Sequence, residues 1–147
     1  MAHAGQTIEG HGGFGLRLVR TGAETDGGLL EMEATYSGEA PMPPEHLHPS
    51  QVERFEVLEG AILARIDGVE HRHEEGATFE VPAGTPHQMA AEVPTRMRWE
   101  VRPALRTAEF FERLFGDGPE SAQAMGEKFF AEFAAFRDSI KTVLHSV

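Results

Sequence analysis

No other dipeptide constrains this chain as much as Asp67-Gly68. It lies between "GAILARI" and "VEHRHEE", and an Asp-Gly pair between strand-like runs is the strongest short-range signal for a two-residue hairpin with a type I′ turn. A second break, Glu59-Gly60, closes the run "VERFEVLE" just upstream. Strands joined by connections this short run antiparallel.

The reading extends in both directions. "GLRLVRTG" and "GLLEMEATYSG" are strands closed by turn residues, the second with Leu30, Met32, Ala34 and Tyr36 on one face and Glu31, Glu33 and Thr35 on the other. "ATFEVPAGTPHQMAAEV" reads as a strand, a Pro/Gly turn and a new strand. "RMRWEVR" puts Met97, Trp99 and Val101 on one side and Arg96, Arg98, Glu100 and Arg102 on the other. Many short strands at this spacing predict an all-β, antiparallel sandwich or small barrel over residues 1–104. The pattern then changes. "TAEFFERLFG" predicts a helix with Thr107 as N-cap and Gly116 as its stop. Beyond Pro119, residues Met125, Phe129, Phe133, Phe136, Ile140 and Val143 step by three or four, an amphipathic helical stripe. Residues 105–147 are therefore expected to be helices packing on the barrel or on a second subunit.

Composition narrows the function. A net charge of −11 repels phosphate backbones, so nucleic acid is not an expected partner. No apolar run reaches membrane-spanning length, and the first thirty residues lack a basic start followed by an apolar stretch, so a cytoplasmic location is expected. With no cysteine, any metal site must be built from histidine and carboxylate.

Histidine is the place to look. In "PPEHLHPSQVERFEVLEG", His46 and His48 are two apart, so on a strand they point to one face. The pair alone proves little: 8 histidines in 147 residues yield about 0.4 such pairs by chance. His71 and His73 repeat the spacing in "VEHRHEEG", where the acidic hairpin context favours a solvated arm. Around His48 the context differs. A turn through Pro49-Ser50-Gln51 would let the chain re-enter a strand with Glu53, Phe55 and Val57 on one side, returning a carboxylate to the imidazoles. His87 follows a tight turn set by Pro82 and Gly84, and Pro86 disfavours helix at Thr85. His3, His11 and His145 lie near the termini, where a surface position is the default.

These residues resemble the signatures of the cupin superfamily. The first, G-x5-H-x-H-x3,4-E-x6-G, matches from His46 through His48 and Glu53 to Gly60, with Gly38 two residues too far upstream. The second, G-x5-P-x-G-x2-H-x3-N, matches at Gly76, Pro82, Gly84 and His87, with Ala91 where Asn is usual. The resemblance covers roughly residues 28–104. It implies a jelly-roll barrel with a C-terminal helical extension, and a divalent transition metal (Fe, Mn, Ni, Co or Zn) held by His46, His48, Glu53 and His87. Alternation offers Tyr36, Phe55, Met89 and Trp99 as pocket walls, with Met42 at the mouth; Tyr36 and Trp99 carry polar groups suited to substrate contact. Glu53 is also a candidate catalytic base.

The expected function is metal-dependent chemistry on a small, mostly apolar, chelating organic substrate, foremost a dioxygenase. The alternatives are a non-redox isomerase, cyclase or lyase, and a ligand-binding cupin without turnover. A homodimer is expected because an open sheet edge needs covering, although the C-terminal segment could cover that edge within one chain.

Overall fold

The computed structural model describes residues 2–10, 12–40, 42–115, 132, 134 and 135. Its strands, numbered in chain order, form two antiparallel sheets. The first runs, in spatial order, β1 (Thr7–Glu9), β2 (Phe14–Arg20), β3 (Leu30–Tyr36), β10 (Thr95–Arg102), β5 (Val52–Glu59) and β8 (Thr78–Val81). The second runs β11 (Ala134–Ala135), β4 (His46–Leu47), β9 (His87–Ala91), β6 (Ala61–Ile66) and β7 (Val69–Glu74). This is the all-β antiparallel architecture expected from the strand pattern, in the jelly-roll form that the family resemblance implied.

The turn residues act as their chemistry requires. Asp67 and Gly68 have φ of 50° and 79°, the pair of left-handed conformations of a type I′ turn, and they join β6 to β7 with Ile66 opposite Val69. Gly60, at φ 86°, separates β5 from β6 where the Pro94 carbonyl and Thr95 crowd the space a Cβ would need. No L side chain fits there without moving the β9–β10 connection.

Alternation places the inward residues in two apolar clusters. One lies between the sheets: Phe55, Val57, Val81 and Met97 from the first meet Ile62, Ala64 and Ala91 from the second. The other gathers Ile8, Leu18, Met32 and Val101 against α2 (Thr107–Phe115), which buries Phe110 and Phe111 there. Burying those two rings stabilises the helix against the sheet by roughly 1.5–3 kcal/mol each. The outward faces of β3 and β10 carry ion pairs instead, such as Arg96–Glu33 and Arg98–Glu56. Each exposed pair adds little, but together they keep the faces distinct.

Three features differ from the sequence reading. Thr107 is the first helical residue rather than the cap, and its hydroxyl accepts a hydrogen bond from Gln51 Nε2 at 2.8 Å. Buried Gln51 also reaches the Pro103 and Ala104 carbonyls, fastening the start of α2 to the loop before β5. A short helix α1 (Gly22–Thr25) is held by a capping box between Thr21 and Glu24. At four residues it is too short to leave a periodic trace, though the T-x-x-E signature was present.

The third concerns the tail. Most of the helix expected beyond Pro119 lies outside the described residues. Within it, Ala134–Ala135 form a strand paired with β4, Ala134 opposite Leu47 and Ala135 opposite His46. The exposed backbone groups of an edge strand outweigh helical periodicity here. The tail does cover an edge of the second sheet within one chain, as a strand. The opposite edge, β7, carries Glu70, His71, Arg72, His73 and Glu74, a charged run of the kind that discourages edge-to-edge pairing. Among the described residues, no helix is long and apolar enough to cross a membrane.

Candidate metal centre

The two sheets meet at the histidines. His46 opens β4 and lies directly opposite His87, which opens β9. His48 follows β4, and its carbonyl accepts a hydrogen bond from Gly84 N at 2.8 Å, which ties the Pro82–Thr85 turn to the histidine pair. Glu53 comes from β5 in the other sheet, on the inward face it shares with Phe55 and Val57. The turn through Pro49 to Gln51 therefore does return the carboxylate to the imidazoles. Ligand atoms of His46, His48 and His87 all lie within 4.8 Å of one another, so the three could hold one metal ion. Glu53 Oε1 sits 3.0 Å from His48 Nε2 and 2.9 Å from His87 Nε2.

The outer hydrogen bonds set which nitrogen faces inward. His48 Nδ1 donates to the Glu132 carbonyl at 2.8 Å and His87 Nδ1 to the Thr85 carbonyl at 2.9 Å, while His46 Nδ1 lies 3.4 Å from the Pro44 carbonyl. With Nδ1 as donor, the neutral ring presents the Nε2 lone pair to the centre. Nε2 of His48 and His87 and Oε1 of Glu53 are fully buried. Lone pairs facing one another at about 3 Å repel unless a proton or a cation lies among them. The donor set thus fits a divalent metal of the nitrogen- and oxygen-preferring kind.

Electrostatics agrees. Burial, reinforced by the neighbouring His87 and His48, pushes the His46 pKa down to about 3, so this ring stays neutral. Burial opposes charge on His48 as well, but Glu53 outweighs it and raises His48 above the ordinary imidazole value. Burial would lift Glu53; contacts with His48 and His87 win and hold it below the usual carboxylate range. Once His48 gives up its proton, the centre carries the single negative charge of Glu53, which favours a cation in the proton's place.

Trp99 completes the carboxylate's surroundings. Its indole Nε1 donates to Glu53 Oε2 at 2.6 Å. This corrects the assignment of its polar edge to a substrate. It also counts against Glu53 as a mobile base: one oxygen is fixed by the indole and the other faces two imidazoles.

A cavity of about 220 Å³ opens onto His46 and His48. Tyr36, Phe55, Met89 and Trp99 line it as the alternation predicted. Met42 is not among the lining residues; the following Pro43 and Pro44 are. The strand pattern gave no sign that Phe110, Phe111 and Leu114 would close the cavity from α2. Their place in the helix-patterned run "TAEFFERLFG" was the available signal. His71 and His73 stay apart from all of this on β7. His71 is exposed, whereas His73 is half-buried against Phe79, with ring centroids 4.1 Å apart and planes at 15°, so the solvated-arm expectation fails for His73. His11 and His145 lie outside the described residues.

Two packed antiparallel sheets enclose three imidazoles that could hold a metal ion, with a carboxylate beside them. Residues 32–101 match the family described as the Cupin domain, and that span of the chain is a cupin domain. The chain is 33% identical over 99 residues to the "Probable oxidoreductase yanE" of Aspergillus niger, covering 67% of this chain but only 35% of that protein, so it spans about a third of that relative's length. Among solved structures it resembles an RmlC-like cupin from Shewanella frigidimarina (TM-score 0.60, 18% identity, 70% of this chain and 87% of that one). It also resembles KdgF from Halomonas sp. (TM-score 0.59, 19% identity, 67% and 86%). At these identities the likeness is one of fold.

Proposed function

We propose that this cupin is a metal-dependent enzyme acting on a small, mostly apolar organic molecule, and that it is a dioxygenase. The observation that carries the reading is the convergence of His46, His48 and His87 with Glu53 at the floor of an apolar cavity. The probable oxidoreductase of Aspergillus niger, similar over its matching third, supports a redox assignment.

The three imidazoles would hold the metal through Nε2, and Glu53 would contribute the fourth ligand and one negative charge. A redox-active divalent ion, when bound, supplies a site where oxygen and a chelating substrate come together. The chain does the rest. The carbonyls of Glu132 and Thr85 keep Nδ1 protonated and the rings oriented. Trp99 fixes the carboxylate. Phe55, Met89 and the aromatic residues of α2 exclude water and position the substrate.

Anaerobic purification followed by elemental analysis, then oxygen-uptake assays with diketones, phenolics and polyketide-like compounds, tests the proposal. Iron or another redox-active metal near one equivalent, with substrate-dependent oxygen uptake, is the expected result. Zinc with anaerobic turnover would replace the dioxygenase by an isomerase or cyclase, and ligand binding without product would remove the enzyme reading.

A further inference from the structure

The cavity above His46 and His48 has a composition that selects its occupant. Among the described residues that line it there is no Lys, Arg, Asp or Glu. Its walls are aromatic rings, methionines, prolines and a leucine, and beyond the imidazoles it offers two polar side-chain groups. One, the Trp99 indole N–H, is already given to Glu53. The other is the hydroxyl of Tyr36, at the end of β3, whose ring packs on Phe14 with centroids 5.1 Å apart. That hydroxyl makes no hydrogen bond to any described residue. Tyr36 is half-buried, so this hydroxyl is open to water, and a ligand that fills the cavity and displaces that water must supply an acceptor in its place or leave the hydroxyl unsatisfied at a cost. At about 220 Å³ the space is below the roughly 300 Å³ where drug-sized sites begin.

We infer that the site takes an uncharged molecule of about one ring whose carbonyl or hydroxyl oxygen accepts a hydrogen bond from Tyr36, and that Tyr36 is the residue that selects it. This deepens the functional reading above and rests on it for the chemistry, though not for the binding. An anionic substrate headgroup would enter a cavity with no cationic side chain among its described lining, beside the buried negative charge of Glu53. A purely apolar ring would leave the phenol unsatisfied. Burial lifts the Tyr36 pKa to about 12, so the group is a donor throughout the physiological range.

Trp99 is the chain's single tryptophan and lines the cavity, so its fluorescence reports occupancy. The full-length protein is titrated with acetophenone, ethylbenzene and benzoate, as wild type and as Tyr36→Phe, which keeps the ring and its packing. Both chelator-stripped and metal-loaded protein are used. Acetophenone is expected to bind the stripped wild type more tightly than benzoate. Tyr36→Phe is expected to weaken acetophenone by about three- to tenfold, the worth of one neutral hydrogen bond, and to bind ethylbenzene at least as tightly as the wild type, since the phenol that an apolar ring leaves unsatisfied is gone. Absence of acetophenone binding, tighter benzoate binding to the stripped protein, or equal acetophenone affinity in the two proteins would overturn the inference. The Tyr36→Phe ratio in stripped protein reads the cavity alone. Failure of the metal reading would appear separately, as absence of bound metal in the loaded preparation, with that ratio intact.

Discussion

The chain contains two His-x-His pairs with identical spacing, and the fold treats them oppositely. His46 and His48 sit at the inner end of β4, with His87 opposite and Glu53 arriving from the other sheet. His71 and His73 sit on the edge strand β7, opposite Ala64 and Ile62. Their rings are 6.3 Å apart and among the described residues no carboxylate pairs with them; Arg72 between them engages Glu74 and Glu92 instead. His73 caps an aromatic stack through Phe79 to Phe55. The difference teaches that strand alternation can place two imidazoles on one face, but a metal centre needs further donors brought by other strands, plus carbonyls that orient the rings.

The bluntest way to break this comparison is to remove each pair. The double variant His46→Ala/His48→Ala is expected to lose at least about tenfold in metal affinity, and bound metal with it, whereas His71→Ala/His73→Ala keeps its full complement by elemental analysis. Loss of metal from the second would erase the distinction. Glu53→Gln comes next. It removes the charge beside His48 inside a buried centre, and urea unfolding of the metal-free protein near pH 6 is expected to show a loss of about 3–5 kcal/mol. Smaller again is Trp99→Phe, which takes the donor from Glu53 Oε2. Chelator competition is expected to show metal affinity about tenfold weaker, with the fold retained.

The pH dependence sharpens the same contrast. In the metal-free protein the raised pKa of His48 stabilises the fold below the ordinary imidazole value of 6.5, and this contribution is lost as pH rises through the higher folded value. The lowered pKa of Glu53 stabilises above 4.5 and is lost as pH falls through its folded value. The pair therefore helps the metal-free fold most between those two ordinary values. Metal competes with the His48 proton, so the gap in melting temperature between loaded and stripped protein is expected to widen from pH 6 to pH 8. A gap independent of pH would contradict the assignment. The smallest effect belongs to the other pair: His73→Ala loses its stack on Phe79, about 0.5–1.5 kcal/mol, with metal content unchanged.

Much of the centre was legible because it is built from local rules. Asp67-Gly68, Gly60 and Gly84 dictate turns by themselves, and period-two alternation puts Glu53, Phe55 and Val57 on one buried face. The hydrogen bond from Trp99 to Glu53 was not legible. Alternation turns Trp99 inward, but only the register of β10 on β5, with Trp99 opposite Phe55 and Val101 opposite Glu53, brings the indole to the carboxylate on the diagonal. Register between distant strands leaves no trace in a single sequence. The same holds for the Glu132 carbonyl that orients His48 across 84 residues, and for the strand at Ala134–Ala135. Helix α2 was legible as a helix but not as the cavity's cover, since an apolar stripe looks the same whichever surface it meets.

X-ray absorption at the metal edge of a preparation holding one divalent ion per chain tests the central claim most directly. The account predicts a shell dominated by imidazole nitrogen, three per ion at about 2.0–2.2 Å, with carboxylate oxygen beside them. A shell without imidazole scattering, or one unchanged when His46, His48 and His87 are replaced, would contradict it.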